Sequence, residues 1–314
     1  MYRLALRGLL WALALLLWPI VLRAEERAAA VPPVLKVATY NLLHGGVWSG
    51  WIGNAQHLDQ RLDMAAATFQ QLNVDILGVQ EASTSGGRGN TAARLATRLG
   101  FCYVYAPAAW RLFPNEHVNT LLSWLLNFSE GPAILSRFPI VTWTAYDLPR
   151  CGRWADPRVL LIAMLQTPWG PLQVASTHTS GDLCQHRYIA TVLLHRSNLP
   201  FLLMGDFNAM EYSPAITMFT AEQGFIDVFR TLHPTSPGFT CYQYPYAPAS
   251  TVSRRIDYLF LLPGQTQHEQ LRTSMVFLDQ PGRLPDGQPL WPSDHYGVVA
   301  EIGLPAPLPI SSSR

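Results

Sequence analysis

The apolar run Leu202-Leu203-Met204 breaks off into Gly205-Asp206-Phe207-Asn208-Ala209, and the same change of character recurs along the chain. Asn41 follows the apolar pattern of Val34 to Tyr40, Glu81 follows Asp75 to Val79, and His178 follows Leu172 to Ser176. Asp257 sits at the start of Ile256 to Leu262, and Asp294-His295 lead into Tyr296 to Ile302. Strand ends favour Asp and Asn in any protein, so each of these alone is an ordinary loop residue. Together they restrict the fold. Rigid strands must converge so that their ends present carboxylates, amides and imidazoles to one cleft.

The segments between these ends alternate in type. Leu58, Leu62, Ala65, Ala66, Phe69 and Leu72 recur at helical spacing between the first two strand patterns, and Thr91 to Leu99 and Cys184 to His195 read as further helices. Cys102 to Tyr105, Ala133 to Leu135 and Val141 to Tyr146 read as strands. Val159 to Leu165 and Leu172 to Ser176, joined by Thr167-Pro168-Trp169-Gly170-Pro171, read as a hairpin. Hairpins and crossovers in one chain predict a mixed α/β domain.

At 314 residues and 49% hydrophobic, the chain is long enough to bury a large core. The balance of 22 basic against 21 acidic residues excludes a global field of the kind that draws a protein onto nucleic acid. The amino terminus stands apart. Arg3 and Arg7 precede an apolar stretch from Gly8 to Leu22, and Ala24 follows as a cleavage point, so residues 1–24 read as a signal peptide or an N-terminal membrane anchor. Residues 25–33, ending in Pro32-Pro33, are a linker, 34–304 the folded domain, and 305–314 a flexible tail.

An exported location permits disulfides. Cys102, Cys151, Cys184 and Cys241 lack zinc-ligand spacing, and their pairing is open among three connectivities. Asn127-Phe128-Ser129 is a glycosylation sequon.

From Val34 to Leu304 the chain resembles the endonuclease/exonuclease/phosphatase superfamily of divalent-metal phosphoesterases. The resemblance rests on Thr39-Tyr40-Asn41, Gln80-Glu81, Gly131 to Pro139, Thr177-His178-Thr179, Gly205 to Ala209, Arg255 to Tyr258 and Ser293-Asp294-His295, in that order. It implies a four-layer α/β/β/α sandwich, two mixed sheets face to face with helices outside, and an active site at one rim.

Phosphate ester hydrolysis explains these residue types, because charge develops on oxygen in the transition state. Glu81 is a hard oxygen ligand suited to Mg²⁺, with Mn²⁺ as an alternative, and Asn41 supports it. His178 and Asn208 are positioned to donate to phosphate oxygens. Asp206 and His295 are the water-activating candidates, Asp257 fixes the His295 tautomer, and by resemblance Asp294 contacts metal or water. Arg137 and His44 are candidate substrate contacts.

The expected rim loops are rich in aromatics: Trp48 and Trp51; Trp110, Phe113, Trp124 and Phe128; and Tyr242, Tyr244 and Tyr246. Around Trp124 the neighbours are Leu121, Leu122, Leu125 and Leu126 rather than the interleaved basic residues of a nucleic-acid platform. That pattern suits an apolar lid or membrane-contacting flap, or a short helix buried on the domain. The sequence thus predicts an exported Mg²⁺-dependent phosphodiesterase acting on a phospholipid such as sphingomyelin. A secreted nuclease acting on DNA or RNA is the runner-up, and a non-catalytic phospho-ligand binding protein is the alternative of another class. No protein partner is inferred.

Overall fold

Strand β1 (Val34–Asn41) shows how the sequence builds its layers. Leu35 and Val37 point into one apolar cluster, Ala38 and Tyr40 into another, and all are buried. The two-residue period of a strand produces this split, and a strand covered on both faces must be apolar on both. The computed structural model describes residues 34–43, 57–108, 113–153, 156–196, 199–263 and 270–303. The expected export segment, linker and tail, together with His44, Trp48, Trp51 and Trp110, lie outside the described residues.

Two mixed sheets face each other. The first is ordered β12 (Gln270–Phe277), β15 (Gly297–Gly303), β1, β2 (Ile76–Ser85), β5 (Ser129–Ser136) and β4 (Cys102–Tyr105), with β3 (Gly89–Asn90) paired to β2. The second is ordered β10 (Ile226–Asp227), β11 (Asp257–Leu262), β9 (Phe201–Asp206), β8 (Gly170–His178), β7 (Val159–Thr167) and β6 (Ile140–Asp147). A small pair, β13 (Gly282–Arg283) with β14 (Pro289–Leu290), stands apart. β1 runs parallel to β2 and β8 parallel to β9, while the remaining pairs, including the expected β7–β8 hairpin, are antiparallel.

Between the sheets Leu35, Val37, Ile134, Leu161, Val174, Leu202, Met204 and Leu259 form the central core. The sheets come closest at Gly78, where an added Cβ would sit 2.7 Å from Met204 Cβ, so this position cannot carry a side chain without moving its neighbour. Outside the first sheet lie α1 (Leu58–Leu72) and α2 (Thr91–Leu99). The buried residues of α1 are Leu58, Leu62, Ala65, Ala66 and Phe69, the predicted stripe, with Arg61 buried beside them. α2 begins where the Asn90 side chain accepts from Ala93 N (2.8 Å) and ends at Gly100 in the left-handed region. Outside the second sheet α4 (Leu183–Leu194) and the turns of residues 214–225 pack on Phe201, Leu203 and Phe260. This is the α/β/β/α sandwich that the resemblance implied.

Two short helices complete the set, α5 (Pro214–Thr217) and α6 (Val228–Leu232), and α3 (Glu116–Leu125) lies between β4 and β5. α3 departs from the buried-helix reading: Leu121 and Leu125 are each 53% exposed and Trp124 is 73% exposed. Its exit is fixed, because Asn127 Oδ1 accepts from Gly86 N (2.5 Å). Asn127 is buried by that arrangement, so the sequon is enclosed. Of the cysteines, Cys151 and Cys184 form a disulfide that ties the segment after β6 to the first turn of α4, whereas Cys102 and Cys241 are free thiols.

Candidate active site

β1 and β2 are parallel and end together, so Asn41 and the Gln80-Glu81 pair reach one rim. The β2–β5 ladder slips between Val79 and Ala82, and Glu81 adopts a positive φ of 54° there. This β-bulge turns the carboxylate out of the ladder toward the cleft. In the second sheet the register pairs both His178 and Asp257 with Asp206, so three reactive groups lie side by side. The turn before β15 brings Ser293-Asp294-His295 against the end of β1, where Ser293 Oγ donates to Asn41 O (2.7 Å).

The two sheets are joined through polar atoms at this rim. Asn41 Nδ2 donates to Glu81 Oε1 and to Asp206 Oδ2, both at 3.1 Å, and Asn41 Oδ1 accepts from Leu43 N (3.0 Å). Asn41 therefore orients the two carboxylates with its amide nitrogen. Deeper in, Thr39 Oγ1 donates to Gln80 Oε1 (3.2 Å), Gln80 Nε2 to Ser176 Oγ (3.2 Å), and Ser176 Oγ to Val79 O (3.2 Å). Such a satisfied buried chain fixes the sheets' relative position.

His295 Nδ1 lies 2.9 Å from Asp257 Oδ2, and its Nε2 lies 3.7 Å from Asp206 Oδ2. His178 Nε2 is 3.5 Å from Asp206 Oδ2 and 2.9 Å from Asn208 Nδ2. Asn208 is held by Thr179 O, to which its Nδ2 donates (2.9 Å), and by Asp206 Oδ1, to which its N–H donates (2.9 Å). It has a positive φ of 47°, and Gly181 (φ 81°) lets the neighbouring turn approach its carbonyl. The eight motif residues Asn41, Glu81, His178, Asp206, Asn208, Asp257, Asp294 and His295 are thus brought together.

Burial and crowding set the protonation of this cluster. Burial, with the Asp257 charge beside it, pushes Asp206 up to about 7. Asp294 rises to about 6, chiefly through burial and then through Glu81. Burial alone would lower His295, but the charges of Asp257 and Asp206 outweigh it and hold the imidazole well above its ordinary 6.5.

Glu81, Asp206, Asp257 and Asp294 place four carboxylates around His295, with the buried Arg61 behind them donating to Leu42 O (3.0 Å). Asp257 Oδ1 is buried without a hydrogen-bond partner among the described residues. Excess carboxylate and hard oxygen donors fit a divalent cation. The tightest group of potential ligands among the described residues is Asp206, Asp257 and His295, all within 4.8 Å. His295 and Asp257 are engaged with each other, and Asn41 turns its nitrogen rather than the expected oxygen toward the carboxylates, so Glu81 and Asp294 are the side chains that would hold the ion. A bound cation would offset the carboxylate charge, polarise a phosphate oxygen and acidify water on it. On the protein side, His178, Asp206, Asn208 and His295 all line the cleft, with Asn208 Nδ2 turned to Thr179 O and His178 Nε2.

Arg137 is not part of this assembly. β5 runs antiparallel to β2, so its C-terminal end lies at the opposite rim, where Arg137 pairs with Asp75 (3.0 Å). The cations that do line the cleft are Arg254 and Arg158, and the Nε of Arg158 is 2.8 Å from Asp156 Oδ1. Arg158 immediately precedes β7, whose neighbour β8 carries His178, and that hairpin pairing was the sequence signal for it. Cys241 also escaped notice; its thiol lies within hydrogen-bonding reach of His295. The cleft has a volume of about 610 Å³.

Two mixed sheets, helices on both outer faces and an acid-lined rim with a paired His and Asp define the class of metal-dependent phosphoesterases built as α/β sandwiches. The chain belongs to the Endonuclease/Exonuclease/phosphatase family, whose profile matches residues 38–295. Members of that family are metal-dependent phosphoester hydrolases.

Among solved structures the chain is similar to an endonuclease/exonuclease/phosphatase from Beutenbergia cavernae (22% identity, 87% of this chain and 72% of that one, TM-score 0.61). It is also similar to the mannosyl-6-phosphatase of Bacteroides thetaiotaomicron (18%, 86% and 100%, TM-score 0.65). A third likeness is to the human Nocturnin catalytic domain with bound sulfate (18%, 86% and 93%, TM-score 0.60). These likenesses concern the fold. A comparison with proteins of curated function gave no match.

Proposed function

We propose that the protein is an exported, Mg²⁺-dependent phosphodiesterase whose substrate is an amphiphilic phosphate ester of the phospholipid class, sphingomyelin being one example. The observation that carries the substrate class is α3, which holds Leu121, Trp124 and Leu125 in solvent from a loop tied to the catalytic end of β2. Exposed large apolar groups clustered on one short helix favour an amphiphilic surface. The disulfide and the apolar amino-terminal stretch support export. No described helix is long and apolar enough to cross a membrane.

In this reading water attacks phosphorus as the bond from phosphorus to the leaving oxygen breaks; Asp206 or His295 accepts the water proton and passes a proton to the leaving oxygen, Asp257 holds the imidazole, and His178, Asn208 and Arg158 face the oxygen charge that grows. Glu81→Ala, or EDTA on the wild type, removes turnover, and added Mg²⁺ restores the EDTA-treated enzyme alone. Persistence of full activity in the variant would sink the mechanism. Replacing Trp124 and Leu125 by Ser weakens binding to phosphatidylcholine vesicles, while hydrolysis of soluble bis-p-nitrophenyl phosphate continues. Equal loss on both would make α3 a packing element. Nuclease action is the second reading, favoured by Tyr242, Tyr244, Arg158 and Arg254 in the cleft lining.

A further inference from the structure

One wall of the cleft comes from a single segment, which supplies Tyr242, Tyr244, Ser253 and Arg254 beside the catalytic cluster. The segment is pinned. Gln243 is fully buried; its N–H donates to Asp294 O (2.7 Å), and its Oε1 accepts from Thr251 N and the Tyr296 hydroxyl, both at 2.9 Å. Arg254 N donates to Cys241 O (2.7 Å), and Trp291 Nε1 to Ala247 O (2.8 Å).

On this fixed frame Tyr242 and Tyr244 stay 47% and 61% exposed, their rings edge to face with centroids 5.3 Å apart. Rings already held in place lose little freedom when a ligand covers them, so such a pair binds more strongly than mobile side chains would. The Arg254 guanidinium is exposed and makes no hydrogen bond or ion pair with any described residue, and the Ser253 hydroxyl has no described partner either. A guanidinium left without a carboxylate at the mouth of an active site favours an anion.

We propose that this wall is a specificity subsite for a polar, ring-bearing group that carries a second negative charge, adjoining the centre that takes the scissile phosphate. The proposal rests on the phosphoesterase reading and narrows its substrate. A ring stacks on the face of one tyrosine and meets the other edge-on, Ser253 meets a ring hydroxyl, and Arg254 meets the second anion. A quaternary ammonium also finds tyrosine faces attractive. Arg254 beside the tyrosines favours an anion over that cation, so the subsite narrows the broader phospholipid reading away from the choline headgroup of sphingomyelin. A phosphorylated cyclitol headgroup and a nucleotide both offer the required chemistry.

Calorimetric titration with Mg²⁺ present tests this, using inositol 1,4-bisphosphate, thymidine 3′,5′-bisphosphate and ring-free glycerol 2-phosphate as probes. Stacking contributions imply that at least one bisphosphate binds wild type about tenfold tighter than glycerol 2-phosphate. The Tyr242→Ala/Tyr244→Ala variant brings that ratio near one, and Arg254→Gln, a change at an exposed side chain, lowers it and weakens its salt dependence. Preference for the inositol probe assigns a lipid headgroup, and preference for the thymidine probe a nucleotide. Bisphosphates binding wild type no better than glycerol 2-phosphate, or a ratio kept in the double variant, overturns the subsite. Hydrolysis of bis-p-nitrophenyl phosphate by wild type and Glu81→Ala runs alongside. Failure there with the ratio intact overturns the phosphoesterase reading instead.

Discussion

His186 is the fully buried imidazole among the described residues, packed between Phe207 and Phe219 with ring centroids 5.4 and 5.6 Å away. Its Nε2 lies 2.9 Å from Thr179 Oγ1 and its Nδ1 3.2 Å from Ala215 O, with no carboxylate bonded to it. Burial dominates and takes its pKa from the ordinary 6.5 to about 4. The folded value is the depressed one, so the unfolded chain binds the proton first as pH falls. The stabilisation is complete above the unfolded value and is lost as pH falls toward the folded one. Linkage puts the loss between pH 7 and pH 5 at about 2 kcal/mol, approaching about 3 kcal/mol below pH 4.

Urea unfolding of wild type and His186→Gln at pH 7 and pH 5 isolates this contribution. Other titrating groups, including Asp206 and Asp294 with their raised values, are present in both proteins and cancel in the difference. Wild type should lose about 2 kcal/mol more than the variant over that interval, whatever their absolute stabilities. Parallel profiles, agreeing within about 0.5 kcal/mol, would show that His186 is not kept neutral by burial and would refute the reasoning.

Two further outcomes test the site itself. Asp257→Asn keeps the shape of the Asp257–His295 pair but removes the charge that raises His295, so kcat falls on the order of 10²-fold or more and the limb of the pH–rate profile set by His295 moves to lower pH; an unchanged kcat would remove His295 from proton transfer. Glu81 holds a left-handed backbone at φ 54°, which costs a non-glycine residue about 1–2 kcal/mol. Glu81→Gly should therefore unfold at higher urea than Glu81→Ala, by about 1 kcal/mol once glycine's own entropy is counted, although both are inactive. Equal midpoints would mean that the bulge carries no strain.

Most of the candidate cluster was legible because its polar groups sit where strands stop. Asp206 and Asn208 follow Leu202-Leu203-Met204, and a buried strand that ends in a carboxylate announces itself in one local window. Arg137 carried the same local signature and lies at the wrong rim, because direction within a sheet is set by pairing with a distant segment rather than by neighbours in sequence. β12 went unread for a related reason. As an edge strand it leaves Gln270, Arg272, Thr273 and Met275 exposed, and its composition resembles a loop. For α3 the sequence displayed the apolar residues but could not say which side of the protein surface they faced. Arg158 and Arg254 likewise become distinctive only when the positions of their would-be carboxylate partners are known.

The strain and the charge of the site have a common origin. Glu81 and Asn208, both with positive φ, carry groups that line the cleft. The strands around them supply the restoring order: the β2–β5 ladder resumes at Ala82, and Asn208 is held by Thr179 and Asp206. The same rigidity keeps Asp206 buried and beside Asp257 although their charges repel, and burial first, then that charge, pushes Asp206 up to about 7. A looser frame would let the carboxylates separate or fill with water, and the tendency to take up a proton or a cation would fall with it. The inter-sheet chain from Thr39 through Gln80 to Ser176, remote from substrate, thus acts on chemistry by denying the carboxylates that relaxation.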